Sequence, residues 1–513
     1  MPPTLLSGKE ALVQGSVSVP GVPGVPGGAE AAFFAAPSFS AHGPDPALLD
    51  RIRAEGGFAS ESEDLEAALA GALDAASSGR LGVAALGGRD IAAAERFFAI
   101  ARSTREKPRR VLFLVLGGPG RGPEGDEGAS HAELAPLRWA GGEALSLLVP
   151  TSPAECYALA RDAARSAGQG PRPTALYVDH VVAHLRESVE TDAPGSESPE
   201  NIGDVYRLRD AEILVVAAGI VGRAALTAVR AAREQGIRAG LYRLLQLWGA
   251  HGSASGWHAS VAAMAARARR VIVPELSEGQ VWEPVAAALQ RFEPRSVTPL
   301  WPGAREGRIS PERILAAIAA IESDGNRPGD TPHPIARRGM AIRLAGDPAH
   351  GLLFTGYVLA EAAMIDRRAV SHLPSLGATA RGPLSGGALR VGGEPDEDPV
   401  VVSPGCLVVT SREALARYAG ELAPEGRLIA EESLPGLPES AIGLPLVRTA
   451  IEAGGTAMVV DLVAAAVVTE MTGAVSRRAL QEAADRLLPA RGRPAALAAL
   501  DAGMELGKRL LRA

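Results

Sequence analysis

The sequence predicts an α/β protein made of several layered domains. Apolar runs of five to seven residues alternate with helix-length segments along most of the 513 residues, and this alternation is typical of parallel sheets covered by helices on both faces. Aromatic residues make up only 4% of the chain, so its cores are expected to pack small residues closely, as helix-on-sheet layers do. The length allows two to four domains.

Two polar, proline-containing segments divide the chain. Asp192–Asn201 (DAPGSESPEN) and Gly325–Pro334 (GNRPGDTPHP) have the composition of linkers. They place three domains at about residues 1–190, 205–325 and 338–513. A short Pro-Gly repeat, Val19–Gly28, is typical of a flexible surface insertion.

The first two domains follow the same strand–helix pattern. In the first, we predict helices at Leu65–Ala76, Ile91–Arg102 and Pro153–Ala167. We predict strands there at Leu81–Leu86, Arg110–Leu116, Ala144–Val149 and Thr174–Val178. In the second, we predict strands at Glu212–Ala217, Ala239–Leu245 and Arg270–Pro274, and helices at Gly222–Gln235 and His258–Arg269. Gly87, Gly117 and Gly219 follow predicted strands, and ligands of open α/β sheets bind at those carboxyl ends. Glycine also serves tight turns that hold no ligand.

The third domain begins with a strand, a loop, a helix and a strand over Met340–Gly382. Its strands are predicted at Ala341–Ala345, Ala369–His372, Leu389–Val391 and Cys406–Val409, and a helical segment, Gly455–Leu511, closes the chain. The loop Gly346–Gly351 (GDPAHG) precedes a helix whose N-terminus could hold a phosphate. Pro348 removes one N–H donor and Asp347 adds a negative charge, so a structural turn is favoured over a phosphate site.

Two polar clusters have both a structural and a functional interpretation. His180 and His184 share a face if they are helical, but no third ligand is near, so a capped loop is favoured and no metal site is predicted. Glu61, Glu63, Asp64 and Glu66 precede a helix, where they would stabilise its dipole; one of them could also be a proton acceptor.

Composition excludes several functions. The net charge of -7 argues against a nucleic-acid surface. Cys156 and Cys406 form no CxxC motif, so the chain cannot by itself hold a four-cysteine iron–sulfur cluster or zinc, and buried, reduced thiols are expected. The start lacks the pattern of a signal peptide. Charges such as Asp461 interrupt the apolar runs, so we expect no membrane span and a cytoplasmic location.

Motifs along most of the chain resemble those of one enzyme family, in the family's order. Gly8–Leu12 (GKEAL) is similar to GNEA, Phe33–Ser40 (FFAAPSFS) to FFxGYPITPS, and Gly117–Pro123 (GGPGRGP) to GGPSTGLP. Further matches are Pro150–Ala163, Tyr177–Glu187, Glu212–Trp248, Ile272–Gln280, Leu373–Gly377 with Arg381-Gly382, and Thr472–Ser476. The family is the 2-oxoacid:ferredoxin oxidoreductases, and the chain resembles their α and γ parts fused into one polypeptide.

The resemblance implies a domain assignment. Residues 1–190 correspond to a pyrimidine-type thiamine diphosphate domain, residues 205–325 to a transketolase C-terminal-like domain, and residues 338–513 to a Rossmann-like γ domain with C-terminal helices. Family enzymes cleave a 2-oxoacid to an acyl-CoA with thiamine diphosphate and pass electrons through iron–sulfur clusters to ferredoxin.

The resemblance also implies partners. The chain lacks the GDG…N diphosphate signature and cluster cysteines. We therefore expect a β subunit that completes the thiamine diphosphate and Mg²⁺ site and carries a [4Fe-4S] cluster. Coenzyme A would be the co-substrate, ferredoxin the electron acceptor, and a dimer of αγ–β units the assembly. The Tyr177–Glu187 match favours 2-oxoglutarate.

Site residues follow from the aligned motifs. Glu63 keeps one acidic position of the family's MEDEIAAIGAAIGAS segment, while the second family Glu becomes Leu65. The resemblance thus implies Glu63 as the carboxyl group that hydrogen-bonds the thiamine pyrimidine, which burial in an apolar pocket would assist. It implies Ser40 as a catalytic, substrate-facing hydroxyl. Arg121 could pair with the substrate carboxylate, and a solvated loop arginine is an equal alternative. The predicted cofactor-binding residues are Glu10, Glu63, Gly346 and Gly351.

Three hypotheses remain open from the sequence. The first is an active α–γ subunit. The second is a degenerate α–γ-like scaffold for an iron–sulfur β-type partner, because the family motifs are altered at Pro37–His42, Gly346–Gly351 and Pro383–Gly387. The third is a different thiamine or nucleotide enzyme built on the same layers.

Overall fold

A computed structural model gives the fold. It describes residues 3–17, 31–41, 49–50, 52–53, 58–91, 110–119, 131–141, 145–167, 173–191, 203–248, 254–277, 279–292, 297–302, 307–322, 335, 337–348, 352–375, 384–394 and 396–510. These residues divide into two compact units. The first takes in nearly all of the chain up to Ala336, and the second consists of Arg337–Ala513 with the short segment Leu185–Ser188.

The first 190 residues contain eight strands and six helices among those described. The strands are β1 (Thr4–Ser7), β2 (Ala31–Ala35), β3 (Phe58–Glu61), β4 (Leu81–Gly87), β5 (Val111–Leu116), β6 (Ser146–Leu148), β7 (Thr174–Val178) and β8 (Arg186–Val189). The helices are α1 (Gly8–Val17), α2 (Pro37–Ala41), α3 (Leu65–Ser77), α4 (Leu134–Gly141), α5 (Pro153–Ser166) and α6 (His180–His184).

The next segment has six described strands and four helices. The strands are β9 (Gly203–Tyr206), β10 (Ile213–Ala218), β11 (Ala239–Leu244), β12 (Gln246–Trp248), β13 (Arg270–Pro274) and β14 (Val297–Leu300). The helices are α7 (Ile220–Glu234), α8 (Ala254–Ala265), α9 (Trp282–Phe292) and α10 (Pro311–Glu322).

The C-terminal segment has six described strands and six helices. The strands are β15 (Met340–Gly346), β16 (Val370–Ser375), β17 (Ser385–Val391), β18 (Cys406–Val409), β19 (Arg427–Glu431) and β20 (Ile442–Leu444). The helices are α11 (Leu353–Ile365), α12 (Arg412–Tyr418), α13 (Leu446–Gly454), α14 (Val460–Thr472), α15 (Arg477–Leu487) and α16 (Arg493–Leu510).

Two largely parallel sheets form the first unit. The seven-stranded sheet has the order β12-β6-β7-β5-β4-β2-β3, and only the edge strand β12 runs antiparallel to its neighbour. The five-stranded sheet has the order β14-β13-β10-β11-β9, with β9 antiparallel. Strands β5 and β10 are buried along their whole length, as expected for central strands covered on both faces. The α/β fold class is confirmed.

The second unit contains a mixed sheet. Its strands run β8-β16-β17-β15-β18-β19-β20. Strand β17 is antiparallel to both β15 and β16 and lies between them, so β15 and β16 are not neighbours as they would be in a simple βαβ unit. Strands β18, β19 and β20 continue in parallel from β15. The predicted strand–helix–strand order of this domain is confirmed, and the helical end is formed by α14, α15 and α16.

Other predictions have mixed outcomes. The predicted strands of the first two domains are present, with shifts of at most two residues at their ends. The helix predicted at Ile91–Arg102 lies outside the described residues beyond Ile91. The strands that were not predicted in these two domains are β1, β2, β3, β8, β9, β12 and β14. Within the described part of the chain, no single helix is long and apolar enough to cross a membrane; α13 and the following helical segment to Thr472 pass that test only as a pair bent by 114°.

Candidate functional site

The strand order of the seven-stranded sheet locates a ligand crevice. After β2 the chain moves outward to the edge strand β3, whereas after β4 it continues to β5 on the other side. The connections that leave β2 and β4 therefore diverge. In an open α/β sheet such a topological switch point opens a crevice at the carboxyl ends of the two strands. We call the space between the carboxyl ends of β2 and β4 the switch-point crevice.

Ser38 and Asp90 meet at this crevice. Ser38 lies in the first turn of α2, directly after β2, and Asp90 follows β4. The Ser38 hydroxyl donates to the Asp90 carboxylate and accepts the Gly87 N–H at 2.9 Å. A Cβ on Gly87 would lie 2.8 Å from that of Ser38, so glycine is what lets the two chain segments approach. A hydroxyl and a carboxylate, already paired, thus line the crevice.

Glu133, in the turn directly before α4, contacts groups of the next strand pair, β5 and β7. Its Oε1 accepts the Gly118 N–H at 3.1 Å, and its Oε2 accepts the Tyr177 hydroxyl at 3.1 Å. A Cβ on Gly88 would lie 2.5 Å from Glu133 Cγ. Burial, and then the charges of Glu133 and Asp179, raise the pKa of Tyr177 well above its ordinary value, so this phenol remains a donor.

Asp179, which follows β7, ties two helices to this edge. It is fully buried; Oδ1 accepts the Val182 N–H at 2.9 Å and Oδ2 accepts the Ile220 N–H at 2.8 Å. The carboxylate thus fills the positive N-terminal ends of α6 and α7. His131 is buried against it with Nε2 3.7 Å from Asp179 Oδ2, and neither ring nitrogen makes a hydrogen bond within the described residues.

Glu63 differs from these groups in its exposure to solvent. It occupies the turn before α3, and its side chain is exposed to solvent. Neighbouring Asp64 is the N-cap and accepts the Ala67 N–H at 2.7 Å, which confirms the helix-stabilising interpretation for that member of the acidic cluster. Leu65 begins the helix. The role of Glu63 therefore stays a prediction, and the described residues give its carboxyl group no apolar enclosure of the kind that the role requires.

The structure describes some of the other predicted site residues and not the rest. Glu10 is buried in α1, where its carboxylate accepts the Ser7 N–H at 2.7 Å while Ser7 Oγ accepts the Glu10 N–H at 3.1 Å. This is a capping box, so a cofactor would have to share that carboxylate. Ser40 lies in α2 on the turn that carries Ser38. Arg121 and Gly351 lie outside the described residues, and Gly346 ends β15. All these assignments stay predictions.

Sequence reasoning missed Ser38, Asp90, Glu133 and the pair of Asp179 and His131. Strand β2 was not recognised, so the switch point next to it could not be derived. The available signal was Phe33-Phe34 before Pro37: a short apolar run followed by a proline at the start of a helix.

In the second unit, a carboxylate already binds the N-terminal end of α11, the helix that follows the Gly346–Gly351 loop. Asp461 Oδ1 accepts the Thr355 N–H at 3.1 Å and the Thr355 hydroxyl at 3.0 Å, at the first turn of α11. Burial raises the pKa of Asp461 to about 6, although hydrogen bonds from Thr355 and Phe354 oppose that rise. A phosphate bound at this helix N-terminus would compete with Asp461 for the same donors.

His372 on β16 explains two glycines of the second unit. A Cβ on Gly356 would overlap the His372 ring, and one on Gly387 would lie 3.1 Å from Nε2. Burial, followed by the nearby charge of Arg186, lowers the pKa of His372 to about 3, so the ring is neutral. Gly387, the last residue of the altered segment Pro383–Gly387, therefore leaves space beside an uncharged imidazole.

The described residues hold no group of three or more His, Cys, Asp and Glu side chains placed to bind a metal ion. His180 and His184 lie in α6 with ring centroids 4.4 Å apart, and His184 Nδ1 is 2.9 Å from the His180 carbonyl oxygen. Cys156 and Cys406 are buried and unpaired with each other, as predicted, and burial raises the pKa of Cys406 to about 12.

Fold and site together define a class. The chain is a multidomain α/β protein whose polar groups converge at the carboxyl ends of parallel strands, the position at which such folds bind small ligands.

Comparison with known proteins narrows the class to a family. The sequence model for "Pyruvate ferredoxin/flavodoxin oxidoreductase" matches residues 341–506, and the one for "Pyruvate:ferredoxin oxidoreductase core domain II" matches residues 211–301. The 2-oxoglutarate synthase subunit KorC of Methanothermobacter marburgensis is 34% identical over 176 residues, which are 32% of this chain and 95% of KorC. Subunit KorA of Methanothermobacter thermautotrophicus is 24% identical over 315 residues, covering 47% of this chain and 81% of KorA.

A solved structure supports the fold. The 2-oxoglutarate:ferredoxin oxidoreductase of Magnetococcus marinus, determined with 2-oxoglutarate, coenzyme A and succinyl-CoA bound, matches with a TM-score of 0.50 and 15% identity over 62% of this chain and 65% of that one. The chain therefore belongs to the 2-oxoacid:ferredoxin oxidoreductase family and joins α-type and γ-type parts in one polypeptide.

Proposed function

We propose that this chain is the fused α–γ subunit of an oxidoreductase that decarboxylates a 2-oxoacid, with 2-oxoglutarate favoured, to an acyl-CoA while reducing ferredoxin, or runs the reverse carboxylation. One observation carries the proposal: a KorA-like part and a KorC-like part occur in one chain. Both relatives are named as subunits of 2-oxoglutarate synthase, and this is the reason for favouring 2-oxoglutarate.

We further propose that the chain works with a β-type subunit. Two cysteines cannot hold a [4Fe-4S] cluster, so the electron path requires another protein. The exposed side chain of Glu63 supports the same idea. A carboxyl group that binds an aminopyrimidine needs a desolvated setting, and the surface of a partner would provide it. We also propose that two αγ–β units form a dimer and that ferredoxin accepts the electrons.

The fit of the cofactors differs between the two units. Thiamine diphosphate with Mg²⁺, when bound, would supply the carbanion chemistry. On this chain, Glu63 would meet its pyrimidine ring only with a partner in place, and the proposed diphosphate and Mg²⁺ ligands belong to that partner. In the second unit, Asp461 fills the donors of α11, so the phosphates of coenzyme A do not fit that helix end while Asp461 is ionised.

The chain's own residues would then orient the acid. The Ser38 hydroxyl, held by Asp90 and the Gly87 N–H, has a fixed direction at the switch-point crevice. The Tyr177 phenol keeps its proton and holds Glu133. Groups fixed in this way align a reactant without the cost of reorganisation during the reaction.

A second candidate is the degenerate scaffold. Leu65 stands where the family has a second Glu, Asp64 is used as an N-cap, and Glu63 is exposed. If none of these carboxyl groups serves thiamine, the chain would support a β-type partner without catalysis of its own.

Cofactor content and substrate response separate the two candidates. The chain is co-expressed with its β-type partner, and the purified complex is analysed for thiamine diphosphate and iron. It is then offered 2-oxoglutarate or pyruvate, with coenzyme A and a viologen dye. Bound thiamine diphosphate and faster dye reduction with 2-oxoglutarate support the proposal. A stable complex without thiamine diphosphate and without dye reduction favours the scaffold.

A further inference from the structure

Lysine is used in an unusual way in this chain. Of the 52 basic residues other than histidine, only Lys9, Lys107 and Lys508 are lysines, so 49 are arginines. Lys9 is the one buried lysine among the described residues, at 7% exposure. Every other buried strong base in that part of the chain is an arginine, namely Arg223, Arg243, Arg343 and Arg390. Lys9 therefore places a buried ammonium group in a chain whose other buried strong bases, among the described residues, are guanidinium groups.

Lys9 is held at a fixed place. It is the second residue of α1, whose start is locked by the capping box between Ser7 and Glu10. Gly8 lies so close to α6 that a Cβ there would overlap the Val182 carbonyl oxygen. The backbone at Lys9 therefore cannot shift towards α6, and its side chain leaves a rigid helix end.

The ammonium of Lys9 contacts the turn that carries Ser38. Nζ donates to the Phe39 carbonyl oxygen at 2.8 Å and lies 4.6 Å from the centroid of the Phe39 ring. Phe39 is itself buried and packs edge-on to Phe33 of β2, with centroids 6.1 Å apart. A compact ammonium can serve a carbonyl and a ring face at once, whereas a planar guanidinium needs more room and different donor directions.

The Ser38 turn is thus held from two sides. On the sheet side, the Ser38 hydroxyl bonds Asp90 and the Gly87 N–H. On the other side, Lys9 holds the carbonyl of the next residue. Small displacements of an orienting group from its productive position can lower rates by about 10²-fold.

We propose that Lys9 is a positioning residue, whose ammonium fixes the turn that carries Ser38 at the switch-point crevice and thereby sets the affinity for the 2-oxoacid. The effect on affinity rests on the proposed function, because it assumes that the crevice receives the acid. The effect on the turn does not depend on that function, so the two can be tested separately.

The first test uses the purified chain without substrate. Amide exchange at Phe39 and Gly87 is measured in the wild type, Lys9→Met, Lys9→Arg and the matched control Lys508→Met, whose parent residue pairs with Glu505 on α16. We expect exchange at least about tenfold faster in Lys9→Met and in Lys9→Arg, and no change in Lys508→Met. Unchanged exchange in Lys9→Met, or wild-type exchange in Lys9→Arg, overturns the proposal. Lys9→Gln replaces Lys9→Met if that variant does not fold.

The second test uses the complex with the β-type partner. We expect Lys9→Met to raise KM for 2-oxoglutarate about tenfold or more, with a smaller change in kcat and an unchanged KM for coenzyme A. Faster exchange with unchanged KM would show a purely structural role and overturn the positioning role. An inactive wild-type complex would instead contradict the proposed function, and the exchange measurement would still decide whether Lys9 fixes the turn.

Discussion

The replacement Asp461→Asn gives the sharpest test of the electrostatics in the second unit. The pKa of Asp461 rises from its ordinary 3.8 to about 6 because the carboxyl is largely buried at the start of α11. A pKa unit corresponds to about 1.4 kcal/mol, so ionising Asp461 costs the folded protein about 3 kcal/mol. The asparagine has nearly the same shape, still accepts the Thr355 N–H and carries no charge.

The sign of the pH dependence follows from linkage. A raised pKa in the folded state means that the folded protein holds the proton more tightly, so this contribution to stability is complete below pH 4 and is lost as the pH rises through 6. Between pH 5 and pH 7.5 the wild type should lose about 1.4 kcal/mol through Asp461 alone. Asp461→Asn does not undergo this loss. Its stability relative to the wild type should therefore rise by about 1.4 kcal/mol over that interval.

The measurement has to report on the second unit. All five tryptophans lie before residue 302, so their fluorescence follows the first unit only. Amide exchange of α11, corrected for the intrinsic rate at each pH, gives the free energy of opening for the helix that Asp461 caps. Values at pH 5 and pH 7.5 are compared between the wild type and Asp461→Asn.

Asp366→Asn is the matched control. Asp366 accepts the Ser476 N–H at 2.6 Å and the Ser476 hydroxyl at 2.7 Å, but it is only partly buried. Its replacement should lower stability at both pH values, because a carboxylate that keeps part of its hydration at a helix start is favourable. If Asp461→Asn is less stable than the wild type at pH 7.5, or if its advantage does not grow with pH, the burial argument is wrong.

Three further predictions concern the first unit. Gly219→Ala should lower the free energy of unfolding by about 2–3 kcal/mol in tryptophan-monitored urea titrations, because φ is +58° and a Cβ would lie 2.9 Å from Asp179 Oδ2. Gly236→Ala, with φ +83° and no atom within 4 Å of a Cβ, should cost only about 1 kcal/mol; equal losses would contradict the close approach. Ser38→Ala should destabilise by about 1–3 kcal/mol and lower kcat/KM of the complex more than Ser40→Ala does, since it removes two hydrogen bonds; the reverse order would favour Ser40. Glu63→Gln should lower kcat of the complex by about 100-fold or more, and unchanged turnover would remove Glu63 from the mechanism.

The fold was largely predictable because its central strands are simple. Strands such as β5 and β10 are buried on both faces, so continuous apolar runs mark them in the sequence. Strand β2 escaped prediction because three of its five residues are alanines, which are depleted in strands, and only Phe33 and Phe34 are typical strand residues. The placement of β17 between β15 and β16 depends on pairing between distant segments, which local patterns do not encode.

The candidate site was less predictable, for a physical reason. Ser38 meets Asp90 across 52 positions, and Thr355 meets Asp461 across 106. Contacts of this kind arise from the order of strands and the packing of helices. Family motifs and strand topology both point to the segment around Pro37, but the motifs favour Ser40 and the topology favours Ser38. Motif and topology together restrict the site more than either does separately.

We propose that this chain is one part of a 2-oxoacid oxidoreductase and that a β-type subunit completes the enzyme. The most direct measurement is the steady-state reduction of a viologen dye by the chain alone, by the β-type partner alone and by the two together, with 2-oxoglutarate and coenzyme A. We expect reduction only with both proteins, and only when acid and coenzyme A are present. Reduction by the chain alone, or none by a stable complex loaded with thiamine diphosphate and its iron–sulfur cluster, would contradict this proposal.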